Sequence, residues 1–392
     1  MRILFIANTF PSPDSPKMAP FNLRAVNNLT EAGMDVKVYH LRSWKPGRKV
    51  TDNYTIDNVN ITSVALPFYA FSPARIKAWN IGLYKRWFYK IIRRQIDLSS
   101  VDVIHTVGVA HAGIIGAYVS QKTGKPHIAQ CIGADINYVL PEMKEYSGVK
   151  GFDQYVDIFA GNSHSLANEA KKNYPDKPTA VVYRGINLDN FFPDPSKRPA
   201  DKLVFSFIGG ISVPNTQYIK NEKGAVSMLN AWKTMITENP GLKVELQYGG
   251  PRVSKEEVTE ILGAQPEDLK INVIGHVSRF EVLNFLQRTH VLVMPSMWDG
   301  FPNAGVEASA CGCAVIGSTA GGIPELINGA QNGILFEPGD EKALVEAMLK
   351  LIHDRELLET YMSRSRPFVE KNLDYKQFAQ GYKALYNQLV KK

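Results

Sequence analysis

Residues 290–340 read HVLVMPSMWDGFPNAGVEASACGCAVIGSTAGGIPELINGAQNGILFEPGD, and this stretch decides the fold. The apolar run 291–294, ended by Pro295, has the length and composition of a buried strand. A polar, glycine-containing loop follows, and a helix is expected from about Asn303 through Ala304, Val306, Ala308 and Ala310 to a stop at Gly312. A second short strand, 314–317, begins at once. Strand, loop, helix and strand in so few residues make a βαβ unit. Its loop-to-helix joint turns backbone N–H groups toward the crevice at the sheet's carboxyl edge. An anion, most simply a phosphate, suits such a joint.

Two carboxylates frame the joint, Asp299 in the loop and Glu307 in the helix, with seven residues between them. A carboxylate accepts hydrogen bonds from paired hydroxyls, which sugars and riboses offer. Taken singly, Asp299 reads better as a helix cap and Glu307 as a solvated side chain or a complement to the helix dipole.

Taken together, the residues resemble something more specific. The string PSMWDGFPNAGVEASACGCAVIGSTAGGIPELI, residues 295–327, resembles the signature of glycosyltransferase family 4, retaining nucleotide-sugar enzymes of the GT-B fold. The likeness continues through Gly333 and the FEPGD segment. The first acid is Asp299 where the family carries glutamate, and the second is Glu307. The resemblance implies an α/β protein of two doubly wound, Rossmann-like domains facing across a cleft, a nucleotide-sugar donor linked to UDP or GDP, and no separate cofactor.

Length agrees with two domains, since 392 residues exceed one ordinary core. Three cysteines, Cys131, Cys311 and Cys313, make neither a disulfide framework nor a zinc site, and point to a reducing, cytoplasmic setting. No secretory signal or spanning run is legible, because the apolar start 3–7 is too short. A net charge of +7 invites nucleic acid or an anionic membrane. Much of it lies in RIKAWNIGLYKRWFYKIIRR, residues 75–94. That segment reads either as a surface helix with Trp79, Leu83, Trp87 and Ile91 in the core, or as a face resting on anionic lipid at the inner side of the membrane. No nucleic-acid recognition motif accompanies it.

In chain order, strands are expected at 3–7, 35–40, 60–66, 101–106, 126–131, 159–162 and 180–183, with helices between them. The segment IAQCIGADIN, 128–137, matches the family's His-Gly-x-Asp turn in Gly133 and Asp135, with Ile132 where the family has histidine. The resemblance makes Asp135 a contact for an acceptor hydroxyl; by itself the residue reads as a turn cap. The proline- and charge-rich passage around 193–202 is a natural linker. Expected domains are therefore 1–192 on the acceptor side, 203–365 on the donor side, and a closing segment 366–392 that crosses back.

The second half opens with LVFSFIGG, 203–210. The strand ends in Gly209 and Gly210, both expected at the donor; Gly210 stands near the position where the family carries an arginine for the donor diphosphate, and Lys223 follows an insert, 212–222, that includes Lys220. The resemblance places Lys223 on the diphosphate and His276 beside the base. Asp299, Gly300, Phe301, Pro302, Asn303, Ala304, Gly305 and Glu307 surround the donor in this scheme, with Asp299 on the sugar, Glu307 on the ribose, and Asp299, Lys223 and Asp135 as the catalytic set. A lysine and aligned amides suffice to hold a leaving diphosphate, and no Asp-x-Asp sequence is present to hold a divalent ion, so metal-independent transfer is expected. The acceptor is expected to be a glycan or lipid-linked sugar. A GT-B phosphorylase or epimerase is the enzymatic alternative, and a nucleotide-sugar-binding protein without turnover is the alternative of another class.

Overall fold

The computed structural model describes every residue except 17, 45, 48, 67–73, 211–221, 252, 279 and 392, with side chains described for all of these but 74–79. Two compact units result, Met1–Arg184 with Tyr375–Lys392, and Gly185–Asp374. The limits expected at 192 and 365 lie inside the second unit. There Arg198 of the expected linker donates to the carbonyls of Thr289, Cys311 and Gly312 at 2.8–2.9 Å, which ties the linker to that unit. Lys220 lies outside the described residues.

The first unit runs β1 (Arg2–Ala7), α1 (Pro20–Glu31), β2 (Asp35–Ser43), β3 (Thr51–Ile56), β4 (Val59–Leu66), α2 (Ala74–Gln95), β5 (Val103–Val107), α3 (His111–Thr123), β6 (His127–Cys131), α4 (Leu140–Met143), β7 (Ile158–Gly161), α5 (His164–Asn173) and β8 (Thr179–Val181). Among the described residues its strands form one sheet, ordered β3-β4-β2-β1-β5-β6-β7-β8. All neighbours are parallel except β3 and β4. Strand order reverses between β1 and β5, and there the chain is tight: a Cβ on Gly108 would lie 3.3 Å from the Asn8 amide nitrogen.

The antiparallel β3 is a finding beyond the sequence expectation. It pairs with β4 through Asp57 and Asn58, both at positive φ, the conformation of a two-residue hairpin turn that Asx residues tolerate. The helix over 75–94 forms, but its core stripe differs from the expected one. Ile81, Tyr84, Phe88 and Ile92 are buried, while Leu83 is 58% and Trp87 37% exposed. Lys85 also turns inward, donating to the Gly148 carbonyl at 2.8 Å, and burial lowers its pKa.

The second unit runs β9 (Leu203–Ile208), α6 (Ala225–Glu238), β10 (Val244–Gly249), α7 (Lys255–Leu262), β11 (Ile271–Gly275), α8 (Val282–Gln287), β12 (Val291–Met294), α9 (Asn303–Ala310), β13 (Ala314–Ser318), α10 (Ile323–Ala330), β14 (Gly333–Phe336), α11 (Glu341–His353) and α12 (Arg355–Asn372). Its sheet, ordered β11-β10-β9-β12-β13-β14, is parallel throughout, so the order reverses between β9 and β12. In open α/β sheets a ligand crevice opens at that point, beyond the strands' carboxyl ends. Trp232 of α6 anchors the core below it, edge-on to Phe205 at 5.6 Å, with its indole N–H donating to the Leu269 carbonyl.

The last helix, α13 (Tyr375–Val390), belongs to the first unit. It buries Phe378, Tyr382 and Tyr386, and the Tyr386 hydroxyl meets His105 Nδ1 of β5 at 2.5 Å. Burial pushes His105 down to about 3, so the ring is neutral in this contact.

Candidate active site at the carboxyl edge of the second sheet

The joint that the sequence singled out forms as β12, loop, α9 and β13. Val291–Met294 are buried because both faces of a parallel strand are covered. Pro302 is the N-cap of α9 in an extended conformation, with no side chain capping the helix and no acid in its first turn. The amides of that turn, the positive end of the helix dipole, are therefore not spent on a side-chain cap.

The loop before this helix is fixed by backbone contacts from two directions. Asp299 accepts from the amide of Gly322 at 2.9 Å, and a Cβ on Gly321 would fall 1.7 Å from the same carbonyl oxygen. From the other side Met297 donates to the Glu222 carbonyl at 2.8 Å. Gly224 sits at φ +73°, where a Cβ would fall 1.9 Å from the Pro295 oxygen. The turn after β9 and the loop after β12 are thus pressed together across the point of strand reversal, and only glycine fits between them.

This packing brings Lys223 to Asp299. Its ammonium donates to Asp299 Oδ2 at 2.7 Å, with the lysine side chain 45% and the aspartate 16% exposed. Lys223 lies just ahead of α6, which starts at Ala225 behind Gly224 as N-cap. Around the pair lies a cavity of about 150 Å³, whose walls include Phe207, Ile208, Ser296, Phe301, Asn303 and Ala304. Pro302 completes the set of loop residues that the sequence assigned to the donor and that line this cavity.

The other expected residues lie as follows. Gly209 is buried, donating to the Gly249 carbonyl at 3.0 Å, and a Cβ there would approach Lys223 Cβ to 3.1 Å. Gly210 packs against the Pro251 carbonyl. Gly300 is buried in the loop, and Gly305 lets α9 close onto Met294 and Leu326. Glu307 is half-buried, a full turn into α9. His276 is exposed after the edge strand β11 and does not line the Lys223–Asp299 cavity.

Asp135 departs most from expectation. It lies in the first unit, buried, with its carboxylate accepting from the amides of Val109 at 2.7 Å, Gly133 at 2.7 Å and Ile132 at 3.1 Å. Burial raises its pKa while these amides pull it down. The carboxylate latches the turn after β5 to the turn after β6 and is spent on backbone rather than held open for a hydroxyl. Nearby, Arg184 stacks over Phe21 at 4.2 Å.

The paired approach of Lys223 and Asp299 could not be anticipated from the string, since 76 residues separate them. Phe207, Ile208 and Ser296 were likewise missed, and the one available signal was that the first two close the strand preceding Gly209 and Gly210.

With this geometry in place, the comparisons with known proteins are specific. Residues 19–190 match Glycosyltransferase Family 4, and residues 204–354 match Glycosyl transferases group 1. The chain belongs to this family, and its fold is GT-B. It is 25% identical to the putative teichuronic acid biosynthesis glycosyltransferase TuaC of Bacillus subtilis, over 91% of this chain and 90% of that protein. Among solved structures it is similar to sucrose-phosphate synthase from Thermosynechococcus elongatus, with a TM-score of 0.71 at 17% identity, covering 100% of this chain and 99% of the other. It is also similar to HepE of Anabaena, solved in complex with UDP, with a TM-score of 0.69 at 16% identity, covering 99% of this chain and 100% of the other.

Proposed function

We propose that this glycosyltransferase moves a hexose, with retention and without a metal ion, from a UDP- or GDP-linked donor to a glycan or lipid-linked acceptor. The second unit holds the donor and the first unit the acceptor. The observation that carries the reading is the Lys223–Asp299 pair beside the uncapped start of α9. As the bond from the sugar to the diphosphate breaks, negative charge grows on the diphosphate. Lys223 and the first amides of α9 stabilise it, and Asp299, released from Lys223 by the phosphate, accepts a sugar hydroxyl. Glu307 takes the ribose diol. The likeness to TuaC, a putative teichuronic acid biosynthesis glycosyltransferase, supports a biosynthetic glycosyl transfer, and the likeness to HepE, solved with UDP, supports a uridine nucleotide.

The test is nucleotide release from UDP- and GDP-sugars with an oligosaccharide acceptor, in EDTA. Release is expected to persist in EDTA; loss restored by magnesium or manganese contradicts the metal-free reading. Asp299→Ala is expected to lower kcat, and Glu307→Ala to weaken donor binding. Equal, mild effects on both parameters in both variants contradict those assignments. Binding of a nucleotide sugar with no release, with or without acceptor, would make the chain a binding protein instead.

The outer face of α2 supports contact with anionic lipid, as Leu83 and Trp87 are exposed alongside Arg86, Lys90, Arg93 and Arg94. Among the described residues no helix is long and apolar enough to cross a membrane. Vesicles containing phosphatidylglycerol should bind the protein more than neutral vesicles, and salt should release it. Changing Arg86, Lys90, Arg93 and Arg94 to glutamine should remove the difference. Equal binding to both vesicles contradicts the contact.

A further inference from the structure

A second cavity, about 680 Å³, opens inside the first unit at the carboxyl ends of β1 and β2, bordered by the loop after β1 and by hairpin strand β3. Arg42, from the end of β2, is its most informative wall. Its Nε donates to the Ser63 hydroxyl at 2.9 Å and its Nη2 to the Lys49 carbonyl at 2.6 Å. Both partners are neutral. The remaining nitrogen, Nη1, is buried and has no hydrogen-bond partner among the described residues. A buried guanidinium N–H left unmade is costly, and a charge held only by neutral dipoles is completed by an anion.

The neighbouring groups fit that reading. The Ser63 hydroxyl donates onward to the Asp52 carbonyl at 3.2 Å, so it is fixed as an acceptor toward Arg42. The Tyr54 hydroxyl donates to the Pro11 carbonyl at 3.1 Å, so His40 Nδ1, also 3.1 Å from it, is the donor in that contact. That leaves Nε2 of His40 as an acceptor. Burial and the charge of Arg42 push His40 down to about 4, so the ring stays neutral and adds no second cation. Asp14 and Asp52 also border the cavity, but among the described residues neither forms an ion pair with Arg42. Phe10 and Leu41 supply apolar wall, as a sugar ring's C–H faces require.

We infer that this cavity binds an acidic sugar, with Arg42 on its carboxylate or phosphate oxyanion and His40 Nε2 on a hydroxyl. The inference rests on the proposed transfer reaction and narrows its acceptor to one carrying a negative charge near the accepting sugar.

The test is calorimetric titration of the full chain with glucuronate, glucose 6-phosphate and glucose, in wild type and in Arg42→Gln. Binding of at least one acidic probe and not of glucose is expected, weakened at least about tenfold in the variant. Glucuronate alone identifies a carboxylate, and glucose 6-phosphate alone a phosphate. UDP affinity, measured in the same preparations, should be unchanged, because Arg42 lies in the other unit. Neither acidic probe binding at millimolar concentration overturns the inference, as does equal binding of glucose or an Arg42→Gln affinity equal to wild type. Should Arg42→Gln fail to fold, the Arg42 Nε–H resonance of the wild type replaces it: a shift with an acidic probe and not with glucose is required. Loss of UDP-sugar binding or turnover, by contrast, would count against the transfer reaction and not against this cavity.

Discussion

Lys223→Ala should lower kcat by about 10²–10³-fold, the usual loss when one preorganised donor to a developing anion is removed. The lysine lies at the joint between β9 and α6, its ammonium 2.7 Å from Asp299 and beside the first turn of α9. The ammonium removed is 45% exposed, and ion pairs reached by solvent add little to stability, so the variant should remain folded with a melting temperature near that of the wild type. Loss of turnover without loss of fold is therefore the specific signature of a charge used on the substrate. Lys223→Arg keeps the charge and should recover part of the rate. A change of less than about threefold in Lys223→Ala would reduce the pair to a surface contact.

Gly224→Ala should be strongly destabilising to the second unit. The backbone there is at φ +73°, and the added methyl would sit 1.9 Å from the Pro295 oxygen and 2.6 Å from its carbonyl carbon. Both atoms are backbone, so no side chain can swing aside. Strain at φ and displacement of the loop after β12 act together, and about 3 kcal/mol or more of stability should be lost. Because that loop carries Asp299 and leads into α9, donor affinity should fall with stability. Gly241→Ala is the control, since nothing lies within 4 Å of a Cβ there and it should be nearly neutral. A Gly224→Ala protein that melts and binds donor like wild type would show that the two loops are not held as described.

The stretch from β12 to β13 was legible because its signals are local: an apolar run, a proline stop, alanines at helical spacing and a glycine exit. The resemblance carried over most of the chain for the same reason. The hairpin β3–β4 escaped because its signal, Asp57-Asn58 between alternating strands, is weak unless the flanking segments are paired in advance. On α2 the apolar residues nearly encircle the helix, so spacing alone did not choose between the Leu83–Trp87 stripe and the Ile81–Tyr84–Phe88–Ile92 stripe that packs. Tertiary contacts decided it. Asp135 shows a different limit. A carboxylate in a glycine-containing turn looks the same in sequence whether it faces a substrate or three backbone amides, and here the amides take it. The meeting of Lys223 with Asp299 depends on strand order β9-β12, which no single segment encodes.

The most direct test of the donor site is an amide NMR titration of the full, isotope-labelled chain with UDP and GDP. The account predicts that the amides of Asn303, Ala304 and Gly305 shift together on addition of at least one nucleotide, and that Lys223→Ala weakens the response. Nucleotide-induced shifts confined to other residues, or a response at α9 that is indifferent to Lys223, would contradict it.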